Sequence, residues 1–193
     1  MKKFFISFTA SLALLSSLAM AKTEGNSVQL NLINTTAEFS SEDVSFDGND
    51  IGIGVAYKNT IALENDIYIA PGAFYDFNNT EVSNVRTFRT QRFNTIFDVK
   101  YSYGFGADLG YNINNQISVF ANLSWLEARG SGSFATNGVV STSSSGSDEG
   151  ISYGLGVEYA IDKQISAVLS YNATELSDFI DIETIKLGVA YNF

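Results

Sequence analysis

The stretch Glu183-Thr184-Ile185-Lys186-Leu187-Gly188-Val189-Ala190-Tyr191-Asn192-Phe193 decides the fold. Every second residue from Ile185 gives Ile185, Leu187, Val189, Tyr191 and Phe193, interleaved with Lys186, Gly188, Ala190 and Asn192. One face is bulky and apolar, and the other is small or polar. That is the period-two pattern of a strand with two unlike faces. It runs to the last residue of the sequence, where a soluble domain usually carries frayed polar residues. A strand sealed into a membrane barrel can keep its apolar face to the end.

Working outward, the same alternation recurs. Ile51, Ile53, Val55 and Tyr57 alternate with Gly52, Gly54, Ala56 and Lys58. From residue 98 to 113, Val99, Tyr101, Tyr103, Phe105, Ala107, Leu109 and Tyr111 share one face. Asp98, Lys100, Ser102, Gly104, Gly106, Asp108, Gly110 and Asn112 share the other. Residues 151–161 repeat the scheme, with Gly154, Gly156 and Glu158 on the small face. Residues 67–77, 116–127 and 165–173 follow it less strictly, because Tyr68, Phe74, Phe120 and Val168 fall in the small-face phase. Residues 27–38 are the least regular, and their phase blurs at Leu32-Ile33. No segment sustains a helical period, and the single proline, Pro71, falls inside a strand.

These segments make eight strands whose connections alternate in length. Asn59–Glu64, Asn114-Asn115 and Asp162-Lys163 read as short turns. Residues 39–50, 79–94, 130–150 and 175–182 read as long polar loops. Short turns on one rim and long loops on the other characterise bacterial outer-membrane barrels. The predicted fold is therefore an all-β, eight-stranded antiparallel up-and-down transmembrane β-barrel.

Composition says which face is inside. The small face is rich in glycine, which weakens a solvated strand but lets the backbone curl in a narrow barrel. Turning the phase around would set Lys58, Lys100 and Lys186 against hydrocarbon, at about 2–4 kcal/mol each near the midplane. The lysines are therefore expected in the lumen. Tyr57, Tyr75, Tyr111, Tyr153, Tyr171 and Tyr191 gather towards strand ends, as interfacial girdles require.

The N-terminal segment carries an address. Lys2 and Lys3 precede a largely apolar run from Phe4 to Leu18, and Ala19-Met20-Ala21 fits a small-x-small cleavage site. Residues 1–21 are expected to be a secretory signal peptide, leaving residues 22–193 as one barrel domain. The full chain has a formal charge of −10, and the signal removes two lysines from the mature protein. So acidic a chain is a poor binder of nucleic acid. There is no cysteine and no histidine, so the usual base and the alternative nucleophile of small hydrolases are both missing. Catalysis is not expected. Gly104-x-Gly106-x-x-x-Gly110 superficially matches a dinucleotide loop, but its glycines sit in phase within one strand, so no cofactor is expected.

The chain resembles the small eight-stranded outer-membrane proteins of the OmpA-like and opacity-type surface-antigen group. The resemblance is carried by Ile69-Ala70-Pro71-Gly72-Ala73-Phe74-Tyr75-Asp76, by Lys100-Tyr101-Ser102-Tyr103-Gly104-Phe105-Gly106 with Asp108-Leu109-Gly110-Tyr111, and by Gly188-Val189-Ala190-Tyr191-Asn192-Phe193. It spans residues 22–193 and implies an outer-membrane location in a Gram-negative bacterium. It also implies that the barrel-assembly machinery reads the terminal strand, with Tyr191 and Phe193 as the signal. Outer-membrane lipids and lipopolysaccharide are the expected surroundings, and a monomer the expected state.

Two sets of residues are candidates for function. In the lumen, Lys58, Asp108 and Glu158 fall near the short-turn rim, and Asp76, Asp98, Lys100 and Lys186 fall nearer the loops. Each layer mixes signs, so an ion-pair plug is expected, with the lining of a small pore as the sharper alternative. In the loops, Arg86, Arg89 and Arg92 suit phosphate or carboxylate partners such as lipopolysaccharide or an acidic host receptor. The Ser- and Gly-rich residues 130–150 read as a flexible exposed spacer. The acidic first and last loops (Glu42, Asp43, Asp47 and Asp50; Glu175, Asp178, Asp181 and Glu183) become neighbours on closure, without diagnostic metal-ligand spacing. The expected function is a structural or adhesive surface role through the loops. A small porin, or a soluble periplasmic barrel binding an apolar ligand, is the alternative.

Overall fold

The structure, a computed structural model, describes residues 24–41, 44–88, 91–136, 139–177 and 180–193. The expected signal peptide lies outside them. Eight strands follow one another: β1 (Gly25–Ser41), β2 (Val44–Ala62), β3 (Ile67–Phe88), β4 (Gln91–Asn112), β5 (Ile117–Thr136), β6 (Val139–Ala160), β7 (Ile165–Ser177) and β8 (Ile180–Asn192). Each pairs antiparallel with its neighbours in sequence, and β8 closes on β1 from Ser27↔Asn192 to Phe39↔Ile180. The opening stretch is thus one side of the closing seam.

The alternation decides which way each side chain points. Leu30, Ile51, Ile53, Phe105, Leu109, Leu123, Leu155 and Leu187 stand exposed on the outer wall. Asn31, Ser102, Asp108, Ser124, Ser152, Glu158 and Asn172 are buried within. An apolar outside around a polar inside is the inverse of a soluble barrel, and it suits hydrocarbon. The blurred phase at Leu32-Ile33 resolves cleanly: Leu32 is exposed and Ile33 is fully buried.

Two features depart from the sequence reading. The turn expected at Asn59–Glu64 falls at Leu63–Asp66, because β2 runs on to Ala62. Asn65 and Asp66 both adopt positive φ (60° and 62°), and Ile67 N donates to Glu64 O at 3.4 Å. This is the pattern of a type I′ hairpin, whose twist matches that of the flanking strands. Asn and Asp are the non-glycine residues that best tolerate it.

The second departure is larger: the four long loops are mostly strand. Pairing between β3 and β4 continues to Phe88↔Gln91, and pairing between β5 and β6 continues to Thr136↔Val139. The sequence shows no alternation there, since both faces of these ribbons meet water and need no apolar side. Cross-strand pairs such as Ser131↔Ser145 and Ser133↔Ser143 set short polar side chains opposite one another along the ribbon. Among the described residues this crown divides into two sheets. β2 pairs with β3 only from Ile53↔Phe77 downward, and β6 pairs with β7 only from Ile151↔Glu175 downward.

Candidate functional site

The lumen is built in layers, described from the short-turn rim upward. First comes a cup of about 260 Å³, lined by Gln116, Ser118, Glu158, Gln164 and Asn192 among others. Above it Tyr68, Ala70, Phe120, Val168 and Ala190 form a buried apolar layer. Two of its rings lie against glycines: a Cβ on Gly110 would stand 2.1 Å from the Tyr68 ring, and one on Gly156 would stand 2.2 Å from the Phe120 ring. The residues that broke the alternation in the sequence are therefore lumenal fillers, each seated where the facing strand offers no side chain.

A polar chamber of about 90 Å³ follows, with an ion pair at either end. At the lower end Lys58 Nζ donates to Asp108 Oδ2 at 2.5 Å and lies 5.1 Å from the Phe120 ring centroid. Asn122 Nδ2 donates to the other Asp108 oxygen at 2.7 Å, so this carboxylate is fully engaged. At the upper end Lys186 Nζ donates to Asp76 Oδ2 at 2.5 Å and lies 4.7 Å from the Phe74 ring centroid. Asp76 Oδ1 is buried with no hydrogen-bond partner among the described residues. A neutral relay runs beside it, from Thr35 Oγ1 to Asn78 Oδ1 at 3.3 Å and from Asn78 Nδ2 to Ser102 Oγ at 3.4 Å. Over the chamber a second apolar layer closes the lumen: Ala37, Leu126, Ala128, Leu176 and Ile182, with Phe74 and Val99 packed against them.

Of the charged residues expected in the lumen, Lys58, Asp76, Asp108, Glu158 and Lys186 lie there. Lys100 does not. It is exposed on the outside, because β4 carries an extra residue at this point: Val99 pairs with Gly130 and Tyr101 with Arg129. On the other side Phe77 pairs with Tyr101 and Thr80 with Val99, so Lys100 faces two residues of β3. This β-bulge shifts the phase by one residue. Val99 turns inward onto the upper apolar layer, and Asp98 leaves the lumen to pair in register with Glu81 and Ser131. Alternation cannot reveal a bulge, since the residues on either side continue a plausible pattern.

The other candidates sit at the two ends. Arg86 pairs in register with Phe93, and Arg92 with Thr87, near the tip of the β3–β4 hairpin; Arg89 lies outside the described residues. Arg86 and Arg92 stand on strands rather than in a loop. Tyr191 and Phe193 lie on the outer wall with ring centroids 6.1 Å apart. Phe193 exchanges backbone hydrogen bonds with Asn26 at 2.8 and 2.9 Å. No group of three or more acidic side chains among the described residues has the geometry to hold a metal ion. Sequence reasoning missed Asn78 and Asn122, whose amides complete the polar lining. Their inward phase was the only available signal.

Comparison with known proteins agrees with this geometry. The profile of the family described as outer membrane protein beta-barrel domain matches residues 7–193. Among solved structures the chain is similar to Ail, the attachment invasion locus protein of Yersinia pestis, solved with the heparin analogue sucrose octasulfate. The identity is 20% and the TM-score 0.56, covering 89% of this chain and 100% of Ail. It is also similar to Neisserial surface protein A, at 19% identity and a TM-score of 0.53, covering 88% of this chain and 97% of that one. At such identities the likeness speaks for the fold. No curated protein matches the chain by sequence.

Proposed function

The chain belongs to the outer-membrane β-barrel domain family, and from that premise we propose that it is a surface interaction protein whose crown of hairpins, rather than its lumen, meets the partner. The observation that carries this reading is the paired extension of β3–β6 far beyond the apolar wall. A paired ribbon holds side chains at fixed spacing, which an unstructured loop cannot do without losing entropy on binding. Long hairpins in barrels of this class face the cell exterior, and short turns face the periplasm.

Within the crown, Arg86, Arg89 and Arg92 are the proposed contacts. Guanidinium forks suit sulfated or phosphorylated glycans, lipopolysaccharide phosphates and acidic receptor surfaces. Ail, similar in fold, binds a heparin analogue, which makes a sulfated glycan the first probe to try. Whole cells carrying wild type should adhere to heparin-coated surfaces, and cells carrying Arg86→Ala/Arg89→Ala/Arg92→Ala should lose most of that adhesion. Equal adhesion by both would sink the assignment. Cleavage between Gly130 and Gly150 by protease added to intact cells would support the orientation, and protection there would argue against it.

The remaining roles follow from the same reading. The lumen serves as a structural plug, in which Lys58, Asp76, Asp108, Glu158 and Lys186 stabilise the inside of a narrow barrel. The two apolar layers weigh against passage of ions or solutes. Tyr191 and Phe193 serve as the mark recognised by the barrel-assembly machinery, and the protein acts as a monomer. No catalytic step is part of this reading.

A further inference from the structure

The cup at the short-turn rim, about 260 Å³, is closed at its inner end by the layer of Tyr68, Phe120 and Val168. It is a dead end rather than a passage. Its lining is rich in hydrogen-bond acceptors and poor in donors. Three carboxylates, Glu24, Glu158 and Asp162, stand against one ammonium, Lys163. Two of the lining amides have their donors engaged elsewhere. Asn192 Nδ2 donates to Gln164 O at 3.4 Å and to Ser166 Oγ at 3.1 Å, and Gln164 Nε2 donates to the Tyr191 hydroxyl at 3.3 Å. Thr60 also lines the cup; it is 4% exposed, yet its hydroxyl makes no hydrogen bond to another described residue.

These acceptors fall on opposite walls. Thr60 pairs in register with Gly25, and Glu24 is the residue before it. Glu158 and Asp162 belong to β6 and the turn that follows, four strands round the closed barrel from β2. Asp162 Oδ1 caps that turn by accepting from Gln164 N and Ile165 N, each at 2.7 Å, which leaves Oδ2. Ala160 and Phe193 add apolar surface to the lining.

We propose that the cup binds a short aliphatic diamine, such as cadaverine, from the periplasmic side. A primary ammonium carries three donors and no acceptor, the complement of this lining. One ammonium meets Glu24 and Thr60, and the other meets Glu158 and Asp162 on the facing wall, through charge-assisted hydrogen bonds. The methylenes between them lie against Ala160 and Phe193. At about 30 Å³ for each water, the cup takes such a chain with solvent beside it. An anion would meet three carboxylates, and a quaternary amine brings charge without donors. A divalent metal ion needs converging oxygen ligands, and no group of three acidic side chains among the described residues has that geometry. A monoamine satisfies one wall only.

The test titrates cadaverine into the full barrel in non-ionic detergent micelles, with calorimetry for affinity and amide chemical shifts for location. Wild type should bind cadaverine with shifts confined to the cup, at residues such as Thr60, Ser118 and Ser166. Pentylamine should bind about tenfold more weakly, the loss of one charge-assisted contact, and acetate should not bind. Glu24→Gln, at an exposed position on the lip, should lower cadaverine affinity to that of pentylamine, and Glu24→Asp should keep most of it. Glu158→Gln should weaken cadaverine by about tenfold as well, with heat-modifiable gel migration checking that the variant folds. No heat and no shifts with cadaverine would overturn the proposal. So would equal affinity for pentylamine, shifts centred outside the cup, or affinity unchanged in both Glu24→Gln and Glu158→Gln. None of these outcomes bears on adhesion by the crown, so the two readings fail separately.

Discussion

The three lysines placed together by sequence pattern part company in the structure, and the difference is measurable. Lys186 neutralises a carboxylate that is 4% exposed. Lys186→Met strands that charge in the lumen and should destabilise the barrel by about 3–5 kcal/mol, read from denaturant unfolding in detergent micelles. Adding Asp76→Leu to the same variant should restore most of the loss, since an apolar pair of similar volume replaces the ions without leaving either alone. Lys100→Met should change stability by less than about 0.5 kcal/mol, because the side chain is exposed at a bulge. A Gly156→Val variant drives a branched side chain into the Phe120 ring and should cost about 1–3 kcal/mol in the same assay. At this scale the sequence was legible wherever phase was continuous. Lys58, Asp76, Asp108, Glu158 and Lys186 could be assigned a side by counting, and Lys100 and Asp98 could not, because one inserted residue resets the count.

Elements were legible in proportion to the contrast between their two sides. Inside the membrane, lipid and lumen impose opposite chemistry on alternate residues, so each spanning segment is visible in the sequence. Above it, water on both faces removes the contrast, and residues 130–150 look like a spacer while forming paired strands. Amide hydrogen exchange separates the two descriptions. Amides of Gly130–Thr136 that point to β6 should exchange far more slowly than free peptide, whereas a spacer would exchange at peptide rates. The turn at Leu63–Asp66 offers a second check. Asp66→Gly should be neutral or stabilising by a few tenths of a kcal/mol, and Asn65→Val should cost about 1–2 kcal/mol, since a branched residue resists positive φ.

At the scale of the whole molecule, two apolar layers lie in series along one narrow axis, with the charged chamber between them. Planar-bilayer recordings of the pure protein should show no steady conductance. Phe120→Ala opens the lower layer and leaves the upper one, so it too should be silent, whereas Phe74→Ala/Phe120→Ala should give measurable openings. Steady current through wild type would instead support the porin reading. A double seal also changes how abundance trades against barrier function. Each additional open channel makes an envelope leakier, so a cell must ration it. A barrel silent in those recordings would need no such ration: it could crowd a surface with hairpins while the permeability of that surface stays where it was.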